Sequence, residues 1–373
     1  GRNGLAVRNA YQNTTKILET FLTWDRDFGQ HAVTAVLGYS WQENINGDGF
    51  QTSSTNFPVD NVSYNNLALG RPYSLSSFRS DFGRNDLYEQ SRLISDFARV
   101  NYSYDNRYLL QLSVRRDGSS VFGDNEQWGY FPSVGAAWRI SQENFMSNST
   151  VFDELKLRAS YGVTGNSQGF NAYSSELIYG SVGDMYYQGT TVNAIGVLQN
   201  SNPDLRWEKT STANLGIDYS LFAGRVSGSV EVYKKNTTDL IYGYEVDRNL
   251  YPALNGILTA NVGEMTNKGI EFSVQVAAVK KNDFSWNTTL NLASNKNELV
   301  KLSNDAFKRD SVLIFTPDGG GQTGETVQMI AQGLPLGTFF TYQFAGKNED
   351  GVSQYLDADG NPTTTPAIKK DYH

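Results

Sequence analysis

Cysteine is absent from the 373 residues, and histidine occurs only as His31 and His373. The first absence excludes a disulfide scaffold and a thiolate metal site. The second excludes a multi-histidine zinc centre, and a His-dependent triad finds no support. No apolar run approaches the ~18–20 residues of a membrane-spanning helix, and hydrophobic residues make up only 39% of the chain. A net charge of −8 argues against a nucleic-acid partner, because phosphate binding depends on a basic field. The opening stretch GRNGLAVRNAYQNTTK has no basic-then-apolar leader pattern, and the chain ends abruptly at KKDYH. Both ends read as those of an internal segment of a longer protein.

Aromatics and glycine are abundant instead, with 22 Tyr, 20 Phe, 6 Trp and 35 Gly. They sit in a pattern of strict alternation. Leu155, Leu157, Ala159, Tyr161 and Val163 interleave with Lys156, Arg158, Ser160 and Gly162. Ala213 to Leu221 and Ile270 to Ala278 repeat the pattern, and Tyr108, Leu110, Leu112 and Val114 face away from Gln111, Ser113 and Arg115. Period two over such lengths means strands with one apolar and one polar face.

The connections fall into two classes. Short ones occur at 27–30, 105–107, 222–224 and 280–283, and the link Ser141–Asp153 reads as one capped helical turn starting at Ser141. Long Gly/Asn/Ser-rich loops cover about 46–91, 165–205, 243–266 and 295–327, with a shorter one at 117–127. Short and long connections alternate, which predicts ten strands in up-and-down order with all short turns at one end. An antiparallel transmembrane β-barrel has that division, with short periplasmic turns and long extracellular loops.

Aromatic positions separate this reading from a sandwich core. The outward register holds Tyr102, Tyr104, Tyr108, Trp138, Tyr219 and Trp286 near the short turns. Near the long loops it holds Tyr39, Trp41, Trp128 and Trp207, with Val, Leu, Ile and Ala between. Two aromatic girdles around an apolar band are what a bilayer requires. Pro132 removes a ladder donor, so a bulge or distorted pairing is expected there.

Several stretches then resemble a known family. RRDGSSVFGDNEQWGYFPSVGAAWRIS, LKLRASYGVTGN, NPDLRWEKTSTANLGIDYSLF, VYKKNTTDLIYG and NVGEMTNKGIEFSV follow in order between about residues 90 and 300. They are similar to the barrel of the SusC/RagA-like TonB-linked outer-membrane transporters of Bacteroidota. The resemblance implies an all-β fold, a plugged barrel of 22 strands, of which about ten are present here. It implies a location in the bacterial outer membrane, among its lipids. It also implies coupling to TonB through a plug region that this chain does not match, and a SusD-like surface lipoprotein closing over the barrel. Two such transporter–lipoprotein pairs would form the larger assembly. The family's C-terminal strands are not matched either.

Within the long loop 165–205, Phe170, Tyr173, Tyr179, Tyr186 and Tyr187 lie among Gly, Ser and Asn. Flat aromatic faces beside amides suit an oligosaccharide or a peptide; the same rings would also serve to pack loops together or against a lid. Lumen-facing Lys156, Arg158, Asp218, Glu231, Glu271 and Gln275 form a polar wall. DADGN at Asp357–Asn361 spaces acids like the start of a calcium loop, but Pro362 stands where such a loop needs glycine, and an exposed turn is expected. Gly319–Gly321 lacks the lysine of a phosphate loop. No carboxylate pair is oriented as acid and base, so neither catalysis nor a resident cofactor or metal is expected. Import of an oligomeric nutrient is the reading of choice. A siderophore or cobalamin receptor is the alternative within the class, and a secreted β-rich adhesin or lectin the alternative outside it.

Overall fold

The computed structural model describes residues 4–58, 65–72, 88–168, 171–246, 249, 256–281, 283–303, 311–314, 327–357, 359–366 and 370–372. Its main body is one antiparallel sheet. The strands are β1 (Leu5–Phe28), β2 (His31–Thr55), a short β3 (Arg71–Pro72), β4 (Glu89–Tyr104), β5 (Tyr108–Ser119), β6 (Trp128–Arg139) and β7 (Phe152–Asn166). A separate hairpin, β8 (Ile178–Tyr187) and β9 (Thr190–Gln199), follows. The sheet resumes with β10 (Glu208–Leu221), β11 (Val226–Glu245), β12 (Ile257–Lys281) and β13 (Phe284–Lys301). Beyond it lie β14 (Ser311–Ile314), β15 (Gln328–Ala331), β16 (Thr338–Thr341), β17 (Phe344–Lys347), β18 (Ser353–Leu356), β19 (Pro362–Thr363) and β20 (Lys370–Tyr372), in two small sheets.

The order β1-β2-β4-β5-β6-β7-β10-β11-β12-β13 is the expected ten-strand meander. Each short connection joins neighbouring strands at one end. Phe28 pairs with His31, Tyr104 with Tyr108, Leu221 with Val226 and Lys281 with Phe284. Asp105 and Asn106 take positive φ of 48° and 54°, a conformation Asp and Asn tolerate better than most side chains. The link between β6 and β7 is not one capped turn. Two short 3-10 helices, Ile140–Gln142 and Asn144–Met146, occupy it, and neither has a side-chain cap.

Among the described residues no second layer covers the apolar face of this sheet. Leu37, Leu112, Leu215, Ile270 and Leu292 share that face and all are exposed. A sandwich would bury them, and a bilayer removes the need. The girdle of the short-turn end is a row of touching rings. His31 lies 4.9 Å from Tyr104, Tyr104 6.3 Å from Tyr108, and Tyr108 stacks on Trp138 at 6.4 Å.

Strands run further than their sequence announces. A tilted strand crosses a bilayer in ~9–11 residues, whereas β1, β2 and β12 have 24, 25 and 25. β2 therefore continues to Thr55 and β11 to Glu245, inside segments expected to be loop. Gly/Asn/Ser-rich sequence hides this, because pairing partners, such as Leu5–Gln12 for Asp48–Thr55, supply the order.

Pro132 makes no bulge against β5, where Val114 pairs with it in unbroken register. Its effect falls on the other side. The pairing of β6 with β7 ends at Ser133 and Gly162, one residue short of the proline. A residue without an N–H ends the ladder there.

Candidate functional site

Past that point the chain builds what the lower sheet lacks, a closed apolar core. Phe122, Phe131, Leu205 and Trp207 are buried together. Trp207 lies 4.7 Å from the Phe122 ring and meets Phe131 edge-on at 5.3 Å, and its indole N–H donates to the Gln127 carbonyl at 3.0 Å. Parity along β10 places Trp207 outward, but the residue precedes the first residue of that strand, Glu208. It turns instead to the inner face, against the ring of Phe131. A Cβ on Gly165 would come within 2.2 Å of Phe131, and one on Gly123 within 2.1 Å of the Pro203 carbonyl. Only glycine permits these approaches.

Side-chain amides lock the layer above. Asn202 donates to the Thr259 carbonyl at 2.8 Å, and Asn261 donates to the carbonyls of Arg206 and Asp239, each at 2.8 Å. The Arg206 N–H donates back to Asn261 at 3.0 Å, and its guanidinium pairs with Asp239 at 2.6 Å. Asn200 donates to the Ile257 carbonyl at 2.6 Å. The segment after β9 is thus stitched to the extension of β12.

The segment before β8 is held as firmly. The Gln90 N–H donates to the Tyr173 hydroxyl at 3.2 Å, and Asn171 donates to Glu89 at 2.8 Å. Asn202 N–H closes the base by donating to the Ser175 carbonyl at 2.9 Å. Tyr173 is therefore half-buried in this base, with its hydroxyl engaged.

From the base rises the β8–β9 hairpin, an element absent from the expectation of a loop at 165–205. Its two-residue turn, Gln188 and Gly189, has φ of 49° and 83°, the signature of a tight hairpin. The Gln-Gly pair between Tyr187 and Thr190 was the available signal. Tyr179 pairs with Val197 and Tyr186 with Thr191, which puts both tyrosines on one face with Asn193 and Ile195. Tyr187 pairs with Thr190 and Met185 with Val192 on the other face. Tyr179 is 62% exposed, Tyr186 76% and Ile195 66%. Among the described residues no other element pairs with either strand. Phe170 lies outside the described residues.

Below the closed core the inner wall holds a concavity of about 620 Å³, lined by Phe97, Arg115, Asp117, Phe131, Thr164 and Trp207 among others. Arg115 grips Asp117 at 2.7 Å and Ser95 at 2.7 Å. Sequence reasoning missed this place, although the inward parity of Arg115 and Asp117 in RRDGSS marks it. Further down, Arg158 bridges Asp218 at 2.9 Å and Glu231 at 3.0 Å, and Lys156 adds a contact of 3.5 Å to Asp218. These polar residues share the inner face, as expected. At Asp357–Asn361, where an exposed turn is expected, the Asp357 carboxylate accepts the N–H groups of Asp359 and Asn361 at 2.9 and 2.8 Å. It serves a turn.

The geometry is that of a barrel wall with a braced head at the end opposite the short turns, and comparison with known proteins agrees on the barrel. A family model described as "TonB dependent receptor-like, beta-barrel" matches residues 1–366. TonB-dependent receptor P3 of Formosa agariphila is 32% identical over 383 residues, which cover 96% of this chain and 36% of that protein. TonB-dependent receptor SusC of Bacteroides thetaiotaomicron is 31% identical over 294 residues, covering 76% of this chain and 28% of that one. A solved RagAB peptide transporter superposes with a TM-score of 0.80 at 24% identity, over 98% of this chain and 38% of its own. The chain spans about a third of the length of these curated relatives. It belongs to the TonB-dependent receptors, with its likeness running to the SusC and RagA type, and forms part of their β-barrel.

Proposed function

We propose that the protein imports an oligomeric nutrient, a glycan or a peptide, across the bacterial outer membrane, using TonB and a SusD-like surface lipoprotein. The observation that carries this reading is the β8–β9 hairpin. It is an aromatic arm on a hydrogen-bonded base, uncovered on both faces among the described residues, at the end of the barrel opposite the short turns. Ordered apolar surface of that kind marks a partner or ligand surface. Tyr179 and Tyr186, on one face beside Asn193, would stack on cargo while the amide bonds to it. Tyr187 and Met185, on the other face, would pack against the lid. Tyr173 acts by positioning the arm. No group in the chain is asked to perform a reaction. The role is transport.

The test uses the full-length transporter, extracted in mild detergent. It should co-purify with a surface lipoprotein through an interface above ~2,000 Å², two such pairs forming the assembly. Removing the hairpin at 179–198, with the base kept, should abolish lid retention or uptake and leave a heat-modifiable barrel. Purification without a lipoprotein, with tight binding of a metal chelate, would favour a siderophore-type receptor.

A further inference from the structure

On the outward face of β11, β12 and β13, three lysines stand in one cross-strand row. Lys234 pairs with Lys268, and Lys268 pairs with Lys296. No register shift separates them from Val232, Ile270 and Leu292, so all share the apolar face. All three lysines are exposed. Among the described residues none of them enters an ion pair, and neither does Glu298, the acid two residues beyond Lys296 on that face.

Height along the strands matters. Counted from the turn between Lys281 and Phe284, Lys268 and Lys296 lie just past the ~9–11 residues that cross a bilayer. Lys234, the ninth residue counted from Val226, lies within that length. This is the level of the outer-leaflet headgroups, given the reading above that the apolar face meets lipid.

A second outward row at the same height shows what balance looks like. Glu43 of β2 pairs across the sheet with Lys16 of β1 and Arg92 of β4, and forms ion pairs with both at 2.9 Å. In the lysine row the middle place is another cation. Like charges directly opposite each other are destabilising, no acid stands opposite any of the three, and an anion from outside the sheet would relieve that cost. The occupant is constrained further from below, where Val232 and Ile270 stand directly beneath the row and, past Ser294, Leu292 resumes the apolar band on β13. Something anionic at the top and apolar beneath fits both. We propose that Lys234, Lys268 and Lys296 form a binding site for the phosphate-bearing headgroup, of net negative charge, of a lipid in the surrounding leaflet. Cross-strand neighbours stand ~4.5–5.5 Å apart at Cβ, close enough for three flexible ammonium groups to converge on one phosphate.

The test is native mass spectrometry of the full-length transporter released from micelles supplied with monophosphorylated lipid A. A parallel arm supplies phosphatidylcholine, and a third adds excess inorganic phosphate. The wild type should retain the lipid A, and the triple variant K234Q/K268Q/K296Q should hold it about a hundredfold more weakly. The charge-keeping K234R/K268R/K296R should retain it, and inorganic phosphate should not strip it. Both variants should still run as heat-modifiable barrels, which separates loss of the site from loss of the fold. Equal retention by the Gln variant, equal retention of phosphatidylcholine, or stripping by inorganic phosphate would each overturn the proposal. A wild-type protein that stays folded and soluble without detergent would instead sink the membrane reading itself, and the lipid site with it.

Discussion

The lower and upper parts of the sheet solve the same problem in opposite ways. Below Trp41 and Trp128, strands turn Leu37, Leu112 and Ile270 outward and bury almost nothing. Above them, Phe122, Phe131, Leu205 and Trp207 close into a core, and asparagines satisfy carbonyls that no ladder reaches. The lower part relies on lipid as its apolar partner, and the upper part, in water, must supply its own. One chain thus carries two stability rules. Substitutions should separate them.

The largest effect is expected at the upper core. Trp207→Ala removes a buried aromatic and the hydrogen bond to Gln127, at a cost of ~3–5 kcal/mol. Because that core is local, hydrogen exchange should rise around residues 121–131 and 200–207 of the full-length protein. The barrel should stay heat-modifiable. Collapse of barrel and head together would mean that the two parts are one cooperative unit.

Next comes the lipid face. Val274→Arg places a cation in the outward band beside Phe272 and Val276 and should cost ~2–4 kcal/mol of barrel stability. Gln275→Lys, one residue along and facing inward, should cost much less. Chemical denaturation of the folded protein in lipid vesicles measures both. Similar losses at the two positions would dissolve the distinction between faces.

These two residues also show how much was legible. Period-two alternation and the two classes of connection were enough for the ten-strand order, because a bilayer imposes both. The same logic failed at Trp207, where parity is meaningless once the backbone leaves the strand. It also failed for the strand extensions, since NGDGFQTSST in β2 has loop composition and is ordered by its partner β1. At the candidate site, the exposed tyrosines of the hairpin were visible as aromatic content. Their division between two faces was not, because it depends on the register shifts between Ile178 and Tyr179 and between Ser181 and Gly183. Tyr173 looked like a ligand residue and is found in the base.

A smaller effect tests the asparagine stitching. Asn261→Ala leaves the Arg206 N–H and two carbonyls without their partner, each a loss of ~1–3 kcal/mol if water stays out. Water reaches part of this layer, so a value near the low end is expected. Proteolysis between β9 and β10 should accelerate while the lower strands remain protected. An unchanged cleavage rate would show that the apolar core alone holds the head.

The smallest effect belongs to the short-turn end and sharpens the comparison from below. Glu143, in the link between β6 and β7, accepts the Tyr108 hydroxyl at 2.6 Å, the Trp138 indole N–H at 3.0 Å and Arg107 at 3.3 Å. Those donors, the Tyr108 hydroxyl foremost, hold its carboxyl below the usual carboxylate range. A depressed pKa means the unfolded state binds the proton more readily. The stabilisation is therefore complete above the ordinary glutamate pKa and is lost as pH falls through the lowered folded value. Glu143→Gln keeps the shape and removes the charge, so it should lower stability at neutral pH and flatten the acid limb of the profile. The girdle rings that Glu143 ties to the link should loosen in parallel, seen as a change in Trp138 fluorescence. If wild type and variant lose stability equally between neutral and acidic pH, Glu143 does not anchor this end. The lower part would then be held by its strands and its lipid alone.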